Sequence, residues 1–213
     1  MANNSLSNAS ASGLIPRAVF NAVLSKDALN ICHINVQSLS ARNFSKFHEL
    51  KANFFNSKMD IICMTETWLG DVISDQMIAI EGYSLLRNDR DRHGGGLCVY
   101  YKNNLSLKVI KSSSPYNSPN NATITEYMLI EVKSGSEPFL LALYYNPPDD
   151  DCSEILGGHL EEFTVKYHHT FFIGDFNTDL LKYNYRSNRF RDKLSFMSCT
   201  CLNDEPTYFY PSG

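Results

Sequence analysis

The sequence predicts an α/β (α+β) chain in which helices are layered over mixed β-sheets. Three observations carry this expectation. Apolar runs of strand length alternate with two or three segments whose apolar residues recur every three or four positions. Short polar turns between neighbouring runs read as antiparallel hairpins. Several apolar runs then end abruptly in polar residues, as strands of a central sheet do when they present side chains at its rim.

The elements follow in order. Residues 1–28 are rich in Ser, Asn and Ala and poor in large apolar residues, which predicts a flexible tail; residues 29–213 form the domain. Leu29 to Asn35 reads as a strand that turns polar at Asn35-Val36-Gln37-Ser38. Ser38 or Ser40 can cap the helix that follows, whose stripe is Phe44, Phe47, Leu50 and Phe54. Asp60 to Met64 is a second buried strand, ending in Thr65-Glu66-Thr67-Trp68. Strands at 83–88 and 96–101 flank a charged, glycine-rich turn, and Leu105 to Ile110 extends that meander. Residues 111–122, full of Ser, Asn and Pro, read as a loop. Tyr127 to Val132 and Phe139 to Tyr145 form a hairpin that Asn146-Pro147-Pro148 stops. Acidic residues at 149–151 suit the positive end of a helix running to about Lys166. Thr170 to Ile173 is the next strand, and 187–199 a last helix with Phe190, Leu194 and Met197 on one side.

Composition bounds the function. The chain has 213 residues, 43% of them hydrophobic, which is enough for one large packed domain. No apolar run approaches the roughly 20 residues that span a bilayer, and the N-terminus lacks the layout of a signal peptide. We therefore expect an intracellular protein, in nucleus or cytoplasm and not secreted, monomeric and without a membrane partner. Cys32, Cys63 and Cys98 fall inside apolar runs and read as core thiols, as do Cys199 and Cys201. The net charge of −4 argues against attachment to nucleic acid by bulk charge, although local basic patches occur at 87–93 and 182–193.

Chemistry concentrates at the strand ends. Phe171-Phe172-Ile173 runs into Gly174-Asp175-Phe176-Asn177, placing a carboxylate and an amide two residues apart. Asn35 and Glu66 end two other strands, and Tyr145 ends a fourth. Carboxylate, amide and hydroxyl are the residue types suited to a metal and a phosphate.

With these residues in place, the chain resembles the endonuclease/exonuclease/phosphatase superfamily, and most closely the apurinic/apyrimidinic-type endonuclease domain of jockey-like non-LTR retrotransposons. Six stretches carry the resemblance, in family order: 31–39, 60–69, 82–90, Gly-Gly-Gly-Leu-Cys-Val-Tyr-Tyr-Lys at 94–102, Tyr-Asn-Pro-Pro at 145–148, and Ile-Gly-Asp-Phe-Asn-Thr-Asp-Leu-Leu at 173–181. The resemblance implies a four-layer sandwich: two mixed sheets face to face with helices outside, the last strands of one sheet missing. It implies a catalytic set of Asn35, Glu66, Tyr145, Asp175 and Asn177. In that set Glu66, supported by Asn35, holds Mg2+ (or Mn2+); Tyr145 stands near the scissile phosphate; Asp175 and Asn177 orient the attacking water and the phosphoryl group. Arg87, Arg90 and Arg92 are candidate contacts to DNA phosphates. DNA is the implied substrate, and a reverse transcriptase domain the implied partner in the full-length element.

One departure from the family pattern bears on activity. The closing Ser-Asp-His motif is absent, since all six histidines precede Asp175. We expect a truncated copy that is weak or inactive; a non-catalytic remnant and a phosphatase of the same superfamily are the alternatives. His168 and His169 lead into the strand at its far end and do not replace the missing histidine.

Overall fold

Each of two sheets is built from three antiparallel strands with one parallel strand added at its side. The computed structural model describes residues 24–91, 93–114, 124–135, 137–148 and 150–202. The first sheet contains β1 (Ile31–Asn35), β2 (Ile61–Thr65), β3 (Tyr83–Asn88) and β4 (Leu97–Lys102) in the order β1-β2-β4-β3. The second contains β5 (Ser106–Ser112), β6 (Glu126–Lys133), β7 (Phe139–Tyr145) and β8 (Thr170–Asp175) in the order β5-β6-β7-β8; β5, expected to extend the β3–β4 meander, crosses to this sheet and pairs with β6. Only β1–β2 and β7–β8 are parallel. Parallel neighbours need a crossover, and helices supply both. Helix α1 (Ala41–Phe54) links β1 to β2, and α2 (Ser153–Phe163) links β7 to β8. Helix α3 (Tyr185–Phe196) follows β8.

Alternation along the strands sorts the cores. Ile61 and Cys63 of β2 face inward with Leu97 and Val99 of β4, meeting Met128, Ile130, Leu141 and Leu143 of the second sheet. The alternate residues Ile62 and Met64 face outward onto Phe47 and Phe54 of α1. Leu140, Ala142 and Tyr144 of β7 likewise face outward onto Leu156 and Leu160 of α2 and Phe190 of α3. The result is four layers: helix, sheet, sheet, helices. Among the described residues no helix is long and apolar enough to cross a membrane.

Several boundaries differ from expectation for local reasons. Neither Ser38 nor Ser40 caps α1 through its side chain, and the segment opens with left-handed backbone at Arg42, Asn43 and Phe44. α2 begins at Ser153 because Asp150 and Asp151 are held in the preceding turn, where Asp151 Oδ1 accepts Ser153 N–H at 2.9 Å. α3 begins at Tyr185 because Asn184 Oδ1 accepts Ser187 N–H at 2.9 Å, an N-cap. Residues 24–28, assigned to the tail by composition, are held in place: Leu24 packs on the outer core, and Ser25 N–H donates to Asn30 Oδ1 at 2.8 Å. Cys201 is exposed, not part of the core.

Gly174 sits hard against its neighbouring strand in the second sheet. It pairs with Tyr144 across β7–β8 at φ +148°, and a Cβ there would stand 1.9 Å from the Tyr144 carbonyl oxygen. Backbone cannot yield as a flexible side chain can. Gly174→Ala therefore costs about 3 kcal/mol or more, which urea denaturation of the two proteins measures.

Candidate active site

The two sheets bring their strand ends to one rim. In the second sheet a single register row runs Glu126, Tyr145, Asp175 across β6, β7 and β8. In the first, Asn35 pairs with Thr65 and Thr65 with Leu97. By alternation both rows face the gap between the sheets: Tyr145 and Leu97 belong to the inter-sheet core. Asn35 Nδ2 donates to Asp175 Oδ2 at 2.7 Å across that gap. The other Asp175 oxygen accepts Asn177 N–H at 3.0 Å, and Asn177 Nδ2 donates to the Asn146 carbonyl at 2.8 Å. Both carboxylate oxygens of Asp175 are thus fixed in direction.

Glu66 lies just past the end of β2, beside Asn35 on β1. Its Oε2 accepts the Trp68 indole N–H and, at 3.1 Å, the Gly95 backbone N–H. Glu66, Trp68 and Asn177 all sit in left-handed backbone, at φ of 59°, 52° and 45°. Such conformations are uncommon for residues with a side chain and persist where surrounding contacts impose them. Burial first, and the nearby Glu66 carboxylate second, raise the pKa of the Tyr145 hydroxyl.

Of the five residues read from strand ends, all meet at this rim. Two of the three arginines are engaged by acids of this chain. Arg87 leaves the outer face of β3 and spends its guanidinium on Asp75, Asp89 and the Ile73 carbonyl. Arg90 is 2.8 Å from Glu126 as an ion pair and gives Nε–H to the Gly94 carbonyl at 3.1 Å. Arg92 lies outside the described residues. His168 and His169 stand at the start of β8, at the opposite end of the strand from Asp175.

Two rim residues escaped the sequence. Glu126, 3% exposed, is a buried acid whose carboxyl burial pushes up to about 7, against the pull of Arg90 and the Gly96 N–H. His33 shares the inward face of β1 with Asn35 and contacts Thr65 Oγ1 at 3.0 Å. Burial holds its imidazole down at about 4, with Asp175 pulling the other way. An alternation count along Ile31–Asn35 places His33 and Asn35 on one face; nothing local marked Glu126.

The site's donors are hard oxygens. Among the described residues no three or more His, Cys, Asp or Glu side chains are grouped to hold a metal ion. Magnesium does not need such a group, because it is held by one or two carboxylates with waters and substrate phosphates. The Glu66 carboxylate and Asn35 amide oxygen fit that requirement.

The profile of the Endonuclease/Exonuclease/phosphatase family matches residues 30–213. The chain belongs to that family. Solved structures with the family fold agree. The endonuclease domain of TRAS1, a telomere-specific non-LTR retrotransposon, superposes with a TM-score of 0.57 at 14% identity, over 84% of this chain and 74% of that one. The mannosyl-6-phosphatase of Bacteroides thetaiotaomicron gives 0.57 at 15% identity, over 78% and 71%. The TDP2 of D. rerio, complexed with a single-strand DNA product, gives 0.53 at 13% identity, over 82% and 66%. At these identities the likeness establishes the fold. No curated protein matches the chain.

The pH dependence follows from His33. Its folded value of about 4 lies below the ordinary 6.5, so the unfolded chain takes the proton more readily. The stability involved is complete above pH 6.5 and drains away as pH falls toward 4. After allowance for partial exposure it amounts to about 2 kcal/mol or less. Urea unfolding midpoints from pH 7 to 4 show a flatter decline for His33→Gln than for the wild type; His159, also held near 4, keeps its own share.

Proposed function

We propose that this family member is a metal-dependent phosphodiester hydrolase that nicks DNA, the endonuclease module of a non-LTR retrotransposon. The observation that carries the reading is the 2.7 Å contact of Asn35 with Asp175, residues of different sheets, beside Glu66. It gathers an amide and two carboxylates at one open rim. Asn35 and Asn177 are exposed there, which suits a long substrate lying across the rim. The retrotransposon assignment rests on the six stretches of jockey-like sequence and is supported by the shared fold of the TRAS1 domain. DNA as substrate, and a reverse transcriptase as the partner domain, belong to the same proposal.

Hydrolysis must bring a hydroxide equivalent to an anionic phosphorus and stabilise a departing oxyanion. Glu66 and Asn35 are the residues that would hold Mg2+ or Mn2+, which when bound supplies positive charge to the phosphate and the leaving oxygen. Asp175, fixed by Asn35 and by Asn177 N–H, is set to orient a water and accept its proton. The second Nδ2 proton of Asn177 remains available to a phosphate oxygen. Tyr145, the register partner of Asp175, is assigned to the scissile phosphate.

A supercoiled plasmid with magnesium tests this. Any conversion to the nicked form is expected to be slow and to need the metal, and Glu66→Ala to lower its rate about 100-fold or more. Equal nicking by both proteins removes Glu66 from the site. Nicking by neither, at protein in excess of DNA, supports a non-catalytic remnant instead.

A further inference from the structure

The turn from Arg90 to Gly96 joins β3 to β4 in the first sheet, yet its anchor is a side chain of the second. Glu126, at the start of β6, accepts Gly96 N–H at 2.6 Å and stands 2.8 Å from Arg90 Nη1. The fit is close: a Cβ on Gly95 would come within 2.0 Å of Glu126 Oε1. The turn then reaches the site acid, since Gly95 N–H donates to Glu66 Oε2 at 3.1 Å. It also fixes the backbone after Glu66. Thr67 N–H donates to the Gly96 carbonyl at 3.2 Å, and Trp68 N–H to the Gly95 carbonyl at 3.0 Å. The Trp68 indole closes the circuit on the same Glu66 oxygen.

Burying a carboxylate is costly even when it is paired. Glu126 is too buried to reach a substrate. Its carboxylate contacts Gly96 N–H and Arg90, both in the turn that grips Glu66. Glu66 meanwhile holds a left-handed conformation that an unsupported chain end would relax.

We propose that Glu126 is a positioning residue for Glu66. From the second sheet it locks the Arg90–Gly96 turn, and the turn holds the Glu66 carboxylate in the pose in which it receives a cation. The proposal rests on the reading of Glu66 as the cation-holding acid.

Trp68 is the only tryptophan of the chain, so its emission reports the Glu66 contact directly. Wild type, Glu126→Ala, Glu126→Gln, Glu126→Asp and Glu66→Ala are compared as full chains, first without metal and then titrated with manganese chloride alone. Far-UV circular dichroism checks the fold. Glu126→Ala is expected to shift Trp68 emission to the red, to raise its quenching by acrylamide, and to move half-saturation by manganese at least about ten-fold, one lost interaction of roughly 1.4 kcal/mol. Glu126→Gln fills the same space, keeps an oxygen that accepts Gly96 N–H, and restores part of both effects. Wild-type emission and midpoint in Glu126→Ala overturn the proposal. If that variant does not fold, Glu126→Asp is decisive: it keeps the charge but is too short for Gly96, and wild-type behaviour in it overturns the proposal equally. If manganese leaves wild type and Glu66→Ala alike, the cation reading of Glu66 fails. The metal-free emission of the Glu126 variants still decides whether the turn is held as described.

Discussion

The hydrogen bond between Asn35 and Asp175 joins two sheets that share no backbone ladder. Apolar packing between the sheets fixes their separation but is non-directional, so it sets neither slide nor rotation closely. Directional polar contacts at the rim do that. Asn88 Nδ2 reaches Ser113 Oγ at 3.0 Å from one sheet to the other, and Glu126 clasps Arg90 and Gly96. The site is therefore a product of sheet registration. Asn35 and Asp175, 140 residues apart in sequence, become partners only because two independently formed sheets settle in one alignment.

This explains what the sequence made legible. The central strands were recognisable because both of their faces are buried, giving near-continuous apolar runs such as Phe139–Tyr145. Asn35, Glu66, Tyr145, Asp175 and Asn177 were recognisable because each terminates or closely follows such a run, where a polar residue has a positional meaning. What stayed hidden involves partners from another element. Arg87 and Arg90 read as exposed cations because Asp75 and Glu126, which engage them, are distant in sequence. Glu126 sits one residue before the expected start of its strand and resembles any surface acid. Asn184 is an unremarkable polar residue until its side chain is seen capping α3.

The rim is also where the backbone departs most from regular geometry. Gln37, Ser38, Glu66, Trp68 and Asn177 all take positive φ. Each follows a strand that feeds the site, and each turns the chain sharply enough to present a polar side chain without lengthening the loop. For Glu66, Trp68 and Asn177 the compensating contacts are the hydrogen bonds already described, so local strain and site geometry are maintained by the same few atoms.

The strand order has a dynamic corollary. Among the described residues, β1 and β8 are the outermost strands of their sheets, each hydrogen-bonded on one side only, and they carry Asn35 and Asp175. An outer strand opens at lower free energy than a central one. Amide protons of β1 and β8 should thus exchange with solvent sooner than those of β2 and β7, and a polyanion bridging both strands would slow that exchange by clamping the two margins together.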